Sequence, residues 1–194
     1  MSAFFAVTSF SAVCPLSLAD AKKHLRVDHS DDDDSIQTVI EAAFEMIERR
    51  TGRAFREQNC QLKLSEFPAG NDPVYLPKPP VLSVSSIVYR DSSNASQTLS
   101  SALYVVQTSA VPGQIVPVYG TSWPTALDNP ESVIITYSAG SLICPTVVLH
   151  AVKLFCDLEY HEHATVEAER IQRRIESLIA GLVLRDRNLI GIST

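Results

Sequence analysis

The chain has 194 residues, 45% hydrophobic and 20% charged, with a formal charge of −6, the make-up of a folded globular protein with room for one good-sized core. The acidic balance argues against a broad phosphate-neutralising surface, which needs clustered Lys and Arg. No apolar run approaches the roughly 20 residues that a membrane span requires. The four cysteines, Cys14, Cys60, Cys144 and Cys156, form no CxxC pair. That spacing suits neither a zinc site nor a dense disulfide scaffold, so reduced, mostly buried thiols in a cytoplasmic setting are expected.

In chain order, Met1-Ser2-Ala3-Phe4-Phe5-Ala6-Val7 has no basic residue ahead of its apolar stretch, and reads as an ordinary leading segment rather than a secretory signal. Ser17, with Asp20 three residues on, is a capping-box-like start for a first helix carrying Leu18, Ala21 and Leu25 on one face. The acidic link Asp28 to Asp34 is expected to cap a second helix and to favour the positive end of its dipole. The apolar face of that helix is Ile36, Val39, Ile40, Ala43 and Ile47, and Gly52 stands where a left-handed C-cap belongs.

After Gly52 the period falls to two. Cys60, Leu62 and Leu64 alternate with polar residues, the mark of a half-buried strand. Short strands are predicted at 74–76, at 81–89 with an irregularity near Ser85-Ser86, at 103–106, at 114–119 and at 133–137, separated by turn-forming clusters such as Phe67 to Asp72 and Asp91 to Ser96. Trp123 is expected to anchor the loop between Gly120 and Asn129. Helical period returns at Pro145. Val147, Val148, Ala151, Leu154, Phe155 and Leu158 share one face, and a last helix has Ile171, Ile175, Leu178, Ile179 and Leu182 inside and a charged outer side.

The predicted fold is α+β: a discontinuous helical bundle built from the N- and C-terminal helices, with an antiparallel β layer of five to seven strands inserted. The expected divisions are residues 1–55 for the N-terminal helices, 56–140 for the inserted β region, 141–183 for the C-terminal helices and 184–194 for a tail with no obvious element.

Chemistry is hard to find. The contiguous acids lack the alternating ligands, central Gly and terminal Glu of a calcium loop. His161 and His163, two apart, would not face one metal from a helix without help from elsewhere. There is no GxSxG elbow, no GxxxxGK[ST] and no GxGxxG. No catalytic, cofactor-binding or metal residue is assigned. A small metal-dependent hydrolase with its site at the His161/His163 end remains the rival from another class.

The opening Pro15-Leu16-Ser17-Leu18-Ala19-Asp20-Ala21-Lys22-Lys23-His24-Leu25-Arg26-Val27 with its Asp run resembles the head–tail connector (adaptor) proteins of long-tailed phages. So do Thr51-Gly52-Arg53-Ala54, the segment Leu76-Pro77-Lys78-Pro79-Pro80-Val81-Leu82-Ser83-Val84 and the run from Pro112 to Pro124. The strand Val133 to Gly140 and the helix opened by Pro145 complete a match over about residues 15–163. Related adaptors occur in prophages and gene-transfer particles.

The resemblance implies a non-enzymatic virion protein at the head–tail interface, assembled in the host cytoplasm. It implies a homo-oligomeric ring, commonly of twelve copies, without cofactors. The ring would bind a portal protein on one side and a head-closure or tail protein on the other, around a channel through which DNA passes without sequence-specific binding. Another head-completion or stopper ring of the same particle is the nearer alternative. A closing ring needs two complementary patches. The candidates are Asp31, Asp32, Asp33 and Asp34 on one side and Arg170, Arg173 and Arg174 on the other. The tail with Arg185, Arg187, Leu189, Ile190 and Ile192 is the candidate portal-docking segment.

Overall fold

The computed structural model describes residues 2–10, 14–141, 143–161 and 165–190, the stretch 184–190 by its backbone alone. The chain forms two compact units, Met1–Ser11 with Glu57–Ser141, and Ala12–Arg56 with Leu142–Thr194. The first is β and the second helical, so the fold is α+β with the β layer inserted into a split bundle.

The helical unit holds α1 (Leu18–Leu25), α2 (Asp33–Thr51), α3 (Thr146–Tyr160) and α4 (Thr165–Ile190). Ser17 caps α1: its hydroxyl accepts the Asp20 N–H at 3.1 Å and donates to the Asp20 carboxylate. Gly52 ends α2 in the left-handed region at φ 69°, returning its N–H to the Glu48 carbonyl. The i, i+4, i+7 stripe of α2 buries Ile36, Ile40, Ala43 and Ile47, and Phe44 joins them. They pack with Ala21 and Leu25, with Val148, Ala151, Val152 and Cys156 of α3, and with Ile175 and Ile179 of α4. Each helix buries one stripe, as amphipathic helices do.

Among its described residues the β unit has eight strands in two antiparallel sheets. The five-stranded sheet runs β1 (Ala3–Phe10), β2 (Gln58–Leu64), β8 (Val133–Ala139), β4 (Val81–Arg90) and β5 (Ser96–Thr98). The three-stranded sheet runs β3 (Val74–Leu76), β7 (Gly113–Pro117) and β6 (Tyr104–Gln107). Strand alternation places Cys60, Leu62 and Leu64 beside Tyr137, Ile135 and Val133, all buried. The expected irregularity in β4 is a register shift between Val84 and Ser86, with a second between Val81 and Ser83. Gly113 approaches Val81 so closely that a Cβ there would stand 2.6 Å from Val81 Cγ2. Trp123 is buried, stacks on Phe67 at 5.0 Å and donates its indole N–H to the Asp72 carbonyl. The buried Tyr137 hydroxyl donates to the Pro77 carbonyl at 2.7 Å.

Four expectations need correction. The leading segment is a strand: β1 pairs with β2 from Ala3↔Leu64 to Phe10↔Gln58, so these residues belong with the sheet and not with the helices expected over 1–55. Its partner residues lie 48 to 61 positions away, and β pairing of that range leaves little local trace. Among the described residues the strand count rises to eight, because β5 is another short, polar strand that exists by pairing with Val88 to Arg90. The last helix continues to Ile190, so Arg185, Arg187, Leu189 and Ile190 lie on helix rather than in an unstructured tail; Ile192 lies outside the described residues. Finally, Asp32 is the N-cap residue of α2, yet no side chain of the Asp run makes a capping bond.

Candidate interaction surfaces

The acidic link spends its inner members inside the helical unit. Asp32 accepts the Tyr160 hydroxyl at 2.6 Å across 128 residues of sequence, and this bond raises the Tyr160 phenol above its usual range. Asp33 pairs with the Lys22 ammonium, which also donates to the His29 carbonyl. Two of the four candidate contact acids therefore stitch α2 to α3 and α1. Asp31 and Asp34 remain exposed.

The basic candidates behave differently. Arg170, Arg173 and Arg174 are all exposed on α4. Arg173 forms an i, i+4 pair with Glu169 at 3.3 Å, a surface pair of small energetic weight. Arg174 lies near enough to His150 to help burial lower that imidazole's pKa, burial being the larger cause. The structure thus presents an exposed acid pair and an exposed basic cluster, and among the described residues no ion pair joins them.

The pattern of charge missed one interaction of weight. Glu48 is 1% exposed at the end of α2. One carboxylate oxygen accepts the backbone N–H groups of Phe55 (2.8 Å) and Arg56 (2.9 Å), and the other accepts the Arg56 guanidinium at 3.0 Å. That guanidinium also lies over the Phe44 ring, 5.8 Å from its centroid. The carboxylate fixes the path by which the chain leaves the helix. Its one sequence signal was position: Glu48 falls one residue past Ile47 and four past Phe44, on the buried stripe.

Three of the four thiols are held in the protonated form. Burial pushes the Cys144 thiol up to about 12 and the Cys156 thiol up to about 11, and raises Cys14 as well, so none is a thiolate at neutral pH. A cleft of about 190 Å³ between α2, α3 and α4 is lined by Met46, Phe155 and Leu158 with Arg50, Glu159 and Glu176. His161 stands 3.8 Å from Asp157 in an exposed i, i+4 pair; His163 lies outside the described residues.

What is distinctive here is a split helical bundle with an inserted β unit and oppositely charged exposed patches. The model of the phage gp6-like head–tail connector proteins matches residues 15–113. The chain belongs to that family. It is a structural connector, and its fold recurs in solved particles. A chain in the neck of an empty gene transfer agent (GTA) particle, computed with C6 symmetry, and a chain in the virion of native GTA each align with TM-score 0.69 at 21% identity. A chain in the neck of a native GTA particle, computed with C12 symmetry, aligns with TM-score 0.68 at 20% identity. Each alignment covers 90% of the connector and 94% of the other chain. A comparison with curated proteins finds no match.

Proposed function

We propose that the connector is a non-enzymatic virion component that forms a twelve-copy ring between a portal protein and a head-closure or tail protein, around the channel that DNA crosses. The family match carries this reading, and the C12 and C6 symmetries of the GTA necks with the same fold support the copy number. The protonated thiols support a structural role over cysteine chemistry.

A cyclic ring repeats one heterologous contact, so each copy must offer two unlike patches. Asp31 and Asp34, the acids with outward carboxylates, supply one. Arg170, Arg173 and Arg174 supply the other. The end of α4, with Arg185, Arg187, Leu189 and Ile190, together with Ile192 beyond it in the sequence, docks on the portal. An acidic protein around the channel keeps DNA from binding tightly as it passes.

The test mixes purified connector with portal rings and weighs the complex by native mass spectrometry. Twelve connectors per portal are expected. Asp31→Lys with Asp34→Lys should abolish the ring without unfolding the chain, and Arg170→Glu with Arg173→Glu on the same chain should restore it. A chain ending at Gly181 should lose portal binding; retained binding would remove the tail from the docking role. Assembly indifferent to both charge reversals would sink the charged contact.

A further inference from the structure

The outer edge of β1 is built for pairing, and we propose that in the free connector it joins β1 of a second copy, antiparallel, about a two-fold axis through Phe5. Natural sheets guard their edges with charge, proline, brevity or bulges. The opposite edge of this sheet follows that practice: β5 has three residues and is tied to a hairpin carrying Arg90 and Asp91. β1 has eight residues with no charge and no proline, and the chain meets no charged residue before Asp20. Its one irregularity, at Thr8, comes after a regular run from Ala3 to Val7.

The direction of the backbone groups follows from the ladder. The Ser65 N–H donates to the Ser2 carbonyl, so Ser2, Phe4 and Ala6 turn their backbone groups toward β2, while Ala3, Phe5 and Val7 turn theirs outward. Among the described residues β1 pairs with β2 alone. An outward set at positions three, five and seven is self-complementary. A two-fold through Phe5 sets Ala3 against the partner's Val7, Phe5 against the partner's Phe5, and Val7 against the partner's Ala3, with no like charges opposed.

The apolar surface asks for the same neighbour. On β2, Leu64, Leu62 and Cys60 are 2%, 4% and 0% exposed. Their cross-strand mates on β1 are Ala3, exposed, and Phe5 and Val7, only half-buried. The inner face thus stops short at β1, and a further strand extends it. Phe4, 58% exposed on the other face, meets the partner's Ala6.

This contact is isologous and closes at two copies, so it is distinct from the heterologous contact of a ring. The pair is a form of the free chain, and it can stand or fall without the ring.

The experiment is sedimentation of the full chain, tagged at its C-terminus, across about a hundredfold range of concentration. Association toward twice the 21.3 kDa chain mass is expected, insensitive to salt because no charge takes part. Phe5→Glu and Phe5→Lys should each weaken association at least tenfold and recover it when mixed in equal amounts, since unlike charges then meet at the axis. In the native chain, hydrogen exchange of the Ala3, Phe5 and Val7 amides should slow at least tenfold as concentration rises, with Phe4 and Ala6 unchanged. A monomer throughout, or association that ignores Phe5 and leaves those amides fast, overturns the proposal.

Discussion

The two units of this connector solve the problem of contact in opposite currencies. The β unit carries three basic and six acidic residues, the helical unit thirteen basic and sixteen acidic. Charge in the helical unit does two jobs. Some is internal, in the Glu48–Arg56 network and the Asp32–Tyr160 and Lys22–Asp33 links; some is displayed, on Asp31, Asp34 and the α4 arginines. The β unit instead displays apolar and aromatic side chains, Phe4, Tyr75, Val105 and the fully exposed Tyr119 among them. Contacts made by the first should fade with salt, and contacts made by the second should not.

The largest expected effect tests how far the helical unit depends on its internal polar links. Glu48→Ala leaves a buried guanidinium and two backbone N–H groups without their acceptor, and should cost about 3 kcal/mol. Urea titration followed by helical circular dichroism checks this; a loss under about 1 kcal/mol would mean that water or another acceptor replaces the carboxylate. The matching test of the β unit concerns space. Gly113→Ala drives a Cβ to within 2.6 Å of Val81 Cγ2, and overpacking of this kind should cost about 2 kcal/mol, read from near-ultraviolet dichroism of Trp123. An unchanged melt would show that Val81 can give way.

The smallest effect is one of acidity. Burial, helped by Arg174, lowers the His150 pKa below its ordinary 6.5. The folded helical unit therefore prefers the neutral ring. Above about pH 6.5 neither state is protonated there and stability is unaffected. As the pH falls below that value the unfolded chain takes up the proton first, and stability drops until the folded-state pKa is passed. His150→Gln should flatten this part of the stability profile between about pH 7 and pH 5. An unaltered profile would assign the acid sensitivity to other groups.

Legibility in the sequence followed the range of the interactions. The α2 stripe, the Ser17 cap and the Gly52 terminus rest on neighbours within a turn or two, and all were readable. The β2 and β8 strands announced themselves because one face of each is buried, which forces alternation. β1 and β5 were not readable: β1 is held by a partner far along the chain, and β5, the short polar arm of a local hairpin, has no buried face. The candidate surfaces divided in the same way. Clustered charge at 31–34 and 170–174 was visible, but which acids point outward depended on Tyr160 and Lys22.

By itself, then, the sequence determined the helices, the central strands, the insertion of β within α and the membership of a connector family, because periodicity and local caps are written in consecutive residues. Tertiary structure decided the rest. It recruited Asp32 and Asp33 inward and left Asp31 and Asp34 free, placed Glu48 under the chain that leaves α2, and turned an apolar leader into an eight-residue sheet edge. Each of these rests on a partner brought near only by folding. The spacing of residues along the chain carries no record of such a meeting.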